Sequence, residues 1–150
     1  MGRVRAALFG SETKRVGVFV DGPNVLRNEF DVDLTDVREA AEREGGGRLA
    51  LTRLYVDEHA TPGLVQAAEA HGFEVVTTSG DVDVKLAVDA TEAAVAGEID
   101  VLAVCSRDMD FKPVLEVAAR YGLETVAIAP GAHGRSDALQ RAAHRATTLE

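Results

Sequence analysis

Residues 16–24, VGVFVDGPN, decide the fold. Val16 to Val20 form an apolar run closed by Asp21, Gly22 and Pro23, and such a run bounded by turn residues reads as a buried strand of a parallel sheet. The layout returns at residues 101–111, VLAVCSRDMDF, where Val101 to Cys105 lead into Ser106, Asp108 and Asp110. Acidic residues just past the carboxyl ends of two parallel strands point into one crevice. Carboxylates gathered that closely repel one another, and a divalent cation is the usual device that keeps them ionised together. This layout suggests a metal site.

Outward from these two runs the chain alternates strand and helix patterns. Strands are expected near 16–20, 49–56, 73–78, 100–105 and 124–128, and helices near 34–44, 61–71, 82–96, 109–121 and 135–145. That alternation gives an α/β fold, a parallel sheet with helices on both faces. Thr61 and Pro62 read as the N-cap and first position of the second helix. Gly72 and Gly122 fall where glycines close helices, Gly45 to Gly47 end the first helix, and Pro113 sits in the opening turns of the fourth. Residues 1–15, with Arg3, Arg5, Lys14 and Arg15 around a short apolar patch, are expected to form a basic N-terminal arm before one domain over 16–150.

With 150 residues and 46% apolar composition, the chain is long enough for one well-buried core. The single cysteine, Cys105, lies inside an apolar strand, which excludes a thiolate metal cluster or an internal disulfide and reads as a small buried hydrophobe. No apolar stretch reaches the length of a membrane span, and the first fifteen residues are too weakly apolar for a secretory signal, so a cytoplasmic protein is expected. The net charge is -9, with arginine far outnumbering lysine among the cations, a bias that suggests a halophilic, salt-rich cytoplasm. In high salt, long-range repulsion of an anionic substrate is screened. Bulk acidity therefore says little about the partner.

Three segments carry the candidate chemistry. In DGPN, Asp21 and Asn24 leave one turn in a set relation, and Asn24 can hydrogen-bond the carboxylate, hold a water or contact a phosphate oxygen. In DVDVKLAVDA, Asp81 or Asp83 would N-cap the third helix, and Lys85 and Asp89 lie four apart on one helical face. A helix start after the third strand opens on the same edge as Asp21, which lifts Asp83 and Asp89 above a merely solvated face. In SRDMDFKP, Asp108 and Asp110 stand at a helix start where the dipole favours negative charge, with Ser106, Arg107 and Lys112 beside them, while Phe111 anchors the turn in the core. The histidines, His59, His71, His133 and His144, have no metal-ligand spacing and form no nucleophilic triad with a serine.

In their order and spacing, DGPN, DVDVKLAVDA and SRDMDFKP resemble the NYN domain, a branch of the PIN-like nuclease superfamily, and most of all its small single-domain archaeal members. The resemblance runs from Val16 to about residue 149. It implies a PIN-like, Rossmannoid three-layer sandwich with parallel strand order 3-2-1-4-5. It also implies an acidic pocket for Mg²⁺ or Mn²⁺, hydrolysis of RNA phosphodiesters, and a possible homodimer. Asp21, Asn24, Asp83, Asp89, Asp108 and Asp110 match the family's polar positions. Arg107 stands where the family often has a small residue, and Ala143 and His144 where it commonly has Ala-Asp.

As an enzyme, the chain would hold one or two divalent ions through Asp21, Asp83 and Asp108, with Asp89 and Asp110 acting directly or through water. Oxygen-only ligands favour Mg²⁺ or Mn²⁺ over Zn²⁺. Asn24 would position the phosphate or the water, and Arg27, Lys85, Ser106, Arg107 and Lys112 would contact the substrate. Arg135, Arg141 and Arg145, at about helical spacing, are further cations on the expected last helix. Two other readings stand beside this one: a regulatory NYN protein that binds RNA or a protein without turnover, and a Toprim-like catalytic domain. Toprim expects Glu at the first acid, against which Asp21 and Asn24 argue. A phosphotransfer receiver needs a late lysine, and none follows Lys112.

Overall fold

The computed structural model describes residues 13–26, 33–131 and 136–149. Strand β1 (Lys14–Asp21) leads into a single helical turn, α1 (Gly22–Val25), followed by α2 (Leu34–Gly45) and β2 (Gly47–Asp57). Then come α3 (Pro62–Ala70), β3 (Glu74–Thr78), α4 (Val82–Val95) and β4 (Val101–Cys105). A 3₁₀ turn (Met109–Phe111) opens α5 (Lys112–Arg120), and β5 (Glu124–Ala129), α6 (Asp137–Ala142) and β6 (Arg145–Thr148) complete the order. All six strands run parallel in the order β3-β2-β1-β4-β5-β6. Strands β1 and β4 are adjacent, Val20 beside Cys105, so the acids after each emerge at the same edge.

Alternation along β1 sorts the core into two layers. Val16, Val18 and Val20 pack with Val37, Ala40 and Ala41 of α2 and Ala68 of α3 on one face. Phe19 joins Tyr55, Leu86 and Ala90 of α4, Leu115 of α5 and Leu139 of α6 on the other. Val101 to Cys105 are wholly buried, as a central strand covered on both sides must be. The three-layer sandwich and the 3-2-1-4-5 strand order are present, and a sixth strand is added.

Helix ends follow their capping residues. Thr61 Oγ1 accepts the Leu64 N–H at 3.2 Å ahead of Pro62, and Gly72 and Gly122 take φ of 86° and 87°, the left-handed closure that favours glycine. Three boundaries differ from the sequence reading. Lys14 and Arg15 belong to β1, paired with Gly47 and Arg48, rather than to an arm, while residues 1–12 lie outside the described residues. The expected fourth helix starts as a 3₁₀ turn because Asp108 caps the Asp110 N–H at 2.9 Å. The expected last helix stops at Ala142. Beyond it Ala143 is extended, and Arg145 to Thr148 pair with Val126 to Ala129, fixed by an Arg145–Glu124 ion pair of 2.7 Å. Arg145 is therefore a strand residue, and Arg135 lies outside the described residues.

Candidate metal centre

At the carboxyl edge of β1, Asp21 is 1% exposed. One of its oxygens, Oδ2, accepts two hydrogen bonds, from Asn24 Nδ2 at 2.7 Å and from Ser106 Oγ at 3.0 Å. The Ser106 hydroxyl in turn accepts the Asp108 N–H at 3.0 Å. A buried serine thus ties the end of β1 to the loop after β4, using its one donor on Asp21 and a lone pair on the loop. Asp110 N–H donates to Asp108 Oδ1, and Val84 N–H to Asp83 Oδ1 at 3.0 Å, so backbone donors orient the outer acids as well.

Asp83, Asp108 and Asp110 converge: each offers a carboxylate oxygen, and the three oxygens lie within 4.8 Å of one another. Twice a hard-cation–oxygen distance of about 2.1–2.4 Å gives about 4.2–4.8 Å, so the spread matches one coordination sphere. The donors are all oxygen, which suits a hard divalent cation. Asp21 lies behind this group, close enough to feel the charges of Asp108 and Asp83.

Burial raises the pKa of Asp21 most. The hydrogen bonds from Asn24 and Ser106 oppose the rise, and the charges of Asp108 and Asp83 add to it. A carboxylate whose folded pKa exceeds its unfolded value holds its proton more tightly when folded, so its penalty to stability is absent below about pH 3.9 and complete above the folded pKa. Asparagine in its place could accept both hydrogen bonds through its carbonyl oxygen without the charge. Metal-free Asp21→Asn should therefore melt several degrees above wild type at neutral pH, the gap closing as pH falls through the raised pKa. Thermal unfolding followed from pH 7 downward checks this, and a gap that widens in acid would contradict it.

The sequence-expected residues divide in the structure. Asp21, Asn24, Ser106, Asp83, Asp108 and Asp110 share one edge. Asp89 does not join the carboxylate group: six residues on from Asp83, it leaves α4 on the opposite flank of the buried stripe. There it accepts the Tyr55 hydroxyl at 2.8 Å and pairs with Lys85 Nζ at 3.2 Å. Lys85 lies on that same flank. Ser106, expected at the substrate, is 1% exposed and faces inward. Arg107 is half-buried and Lys112 exposed beside the acids, whereas Arg27 lies outside the described residues. Asp81 occupies the N-cap of α4 without a side-chain capping bond.

Sequence reasoning missed Tyr55. Its ring is fully buried against Phe19, centroids 6.2 Å apart, and its hydroxyl pKa is driven up by burial and by Asp89. The sole signal was an aromatic with a polar tip in a strand otherwise made of aliphatics. Tyr55→Phe should lower unfolding stability by about 1.5–3 kcal/mol, as expected for a hydrogen bond to a charged acceptor. Urea melts of the two proteins test it; equal midpoints would mean that the bond contributes nothing net. Cys105 is buried, and burial with the Asp21 charge pushes its thiol pKa up, in keeping with an inert hydrophobe.

A parallel α/β sandwich with three carboxylates gathered at the carboxyl edge of its sheet defines a domain equipped to hold a divalent metal. Residues 15–150 match the NYN domain, and the chain belongs to that family. It is 40% identical over 130 residues to an uncharacterized protein of Methanocaldococcus jannaschii, covering 86% of this chain and 52% of the relative. The chain thus spans about half the length of that curated relative. The crystal structure of a protein of unknown function from Vibrio parahaemolyticus superposes with a TM-score of 0.76 at 21% identity, over 92% of this chain and 94% of the other, a likeness of fold. Among the described residues, no helix is long and apolar enough to cross a membrane.

Proposed function

We propose that the chain is a metal-dependent ribonuclease that hydrolyses RNA phosphodiester bonds, with Mg²⁺ or Mn²⁺ held by Asp83, Asp108 and Asp110. The observation that carries the reading is the convergence of those three carboxylates within 4.8 Å at the sheet edge. Membership of the NYN family supports it. When bound, the ion supplies Lewis-acid polarisation of a phosphoryl oxygen and lowers the pKa of an attacking water.

The residues of the chain have separate tasks. Asp83, Asp108 and Asp110 hold the charge that attracts and orients the ion. Asp21 sits behind them as a buried acceptor fixed by Asn24 and Ser106, one carboxylate oxygen remaining beyond those two bonds to face the acidic group. Asn24 and Ser106 are positioning residues, since their measured contacts are with Asp21. Arg107 and Lys112, beside the acids, would bind substrate phosphates and offset the repulsion that a net charge of -9 exerts on RNA.

Incubating the protein with single-stranded RNA and Mn²⁺, with and without chelator, tests the reading. Cleavage that needs metal and disappears in Asp83→Asn supports it. RNA binding without cleavage in either protein would replace it with the regulatory reading.

A further inference from the structure

Helix α4 is apolar on two opposite sides. At 100° per residue, Leu86, Ala90 and Ala93 form its buried stripe, while Val84, Val88 and Val95 fall within about 40° of one another nearly half a turn away. These three valines are 57%, 58% and 47% exposed, and they are the large apolar side chains that α4 gives to solvent. Single exposed valines are ordinary. Three aligned at i, i+4 and i+11 on the outermost face of a helix form a seam of the kind that takes a second helix.

We infer that this face of α4 is the seat of a second copy of the chain, the two α4 helices packing antiparallel across a two-fold axis. The sequence of the helix is self-complementary in that arrangement. The register that seats Val84 on the partner's Val95 also seats Val88 on the partner's Thr91, twice over by symmetry. In an antiparallel helix pair, residues on one flank meet the same flank of the partner. Lys85 and Glu92 share a flank, and the valine register brings Lys85 beside the partner's Glu92 in two equivalent ion pairs. The other flank offers Ala87 opposite the partner's Ala94, small side chains that allow the axes to approach to about 8 Å. Lys85 already pairs with Asp89 within its own helix at 3.2 Å, but an ammonium has three donors and can serve both carboxylates.

The surface continues past the end of the helix. A groove of about 250 Å³ opens beside Val95, lined by Tyr121 and Leu123, with Tyr121 58% exposed. It extends the apolar face where the partner's helix start would lie. This inference is independent of the ribonuclease reading, because it concerns the outer face of α4 and a readout of mass.

Sedimentation equilibrium and light scattering of the full chain test it. A concentration-dependent dimer is expected, and Val88→Glu should be monomeric while melting close to wild type, since Val88 faces solvent in the monomer. If Val88→Glu fails to fold, Val88→Ser at the same position provides the reading. Lys85→Glu and Glu92→Lys should each weaken dimerisation about tenfold, and the double charge swap should restore it, because each pair regains opposite signs across the axis. A wild type that stays monomeric into the millimolar range would overturn the inference and leave the face to a partner of other composition. A dimer indifferent to Val88→Glu, or a charge swap that restores nothing, would overturn it equally.

Discussion

Asp108→Asn is expected to abolish metal-dependent cleavage, with loss well beyond the roughly hundredfold that follows removal of an outer-sphere partner, and to remove the rise in Tm that Mn²⁺ gives wild type. The argument is local. Asp108 carries two duties, a charge among three converging carboxylates and a cap for the Asp110 N–H. Asparagine retains an oxygen for the cap, and the backbone N–H of residue 108 still reaches Ser106. The loop should therefore keep its shape, and the metal-free variant should be at least as stable as wild type because one of several like charges is gone. Ligand binding to the native state stabilises by mass action, so wild type gains Tm with metal and the variant should not. Equal metal-induced shifts in the two proteins would remove Asp108 from the site.

Gly22→Ala should be the most damaging single-methyl change in the motif after β1. A Cβ on residue 22 would stand 2.3 Å from the Tyr55 carbonyl oxygen and 3.0 Å from Val56 Cγ1, and the first of these is backbone of the neighbouring strand. A backbone atom cannot swing aside as a side chain can. Either β1 and β2 separate at this edge or α1 unwinds, and in both cases Asp21 and Asn24 leave the geometry that Ser106 ties to the metal loop. Overpacking of this kind costs about 3 kcal/mol or more. Chemical denaturation measures the loss, and full stability with an unchanged Mn²⁺ response would show that the close approach is not needed. The glycine of DGPN is thus required by proximity to β2; its φ is not in the left-handed region.

The fold was legible because β1 and β4 are apolar without interruption and are followed by acids, a pattern that only a central parallel strand produces. The sixth strand was not. Arg145 to Thr148 are four residues containing an arginine and an alanine, and they are a strand through pairing with Val126 to Ala129 and the ion pair to Glu124, which no local pattern announces. Glu124 itself has its pKa lowered by Lys14 first, and then by Arg145, joining β1, β5 and β6 through one carboxylate.

At the site, chain order alone identified Asp21, Asp83, Asp108 and Asp110, since each follows a strand or opens a helix at one edge. Their division of labour needed coordinates. Asp21, read as a first-choice ligand, stands behind the cluster as its most buried member, and Asp110, read as direct or water-mediated, converges with Asp83 and Asp108. Ser106 looked like a substrate contact because it precedes the acids, yet its place at the strand end puts its hydroxyl in the interior between Asp21 and the Asp108 amide. Asp89 shared a helix with Asp83, but six residues turn it onto the other flank, where Tyr55, thirty-four positions away in sequence, takes it. A pairing across that distance is a property of the packed sheet and helix.

The most direct test is an anomalous difference map from crystals of the metal-free protein soaked in Mn²⁺. The account predicts a peak bounded by the carboxylates of Asp83, Asp108 and Asp110, lost in crystals of Asp108→Asn. A map without a peak among those three, under a soak that saturates the Mn²⁺-induced Tm shift in solution, would contradict it.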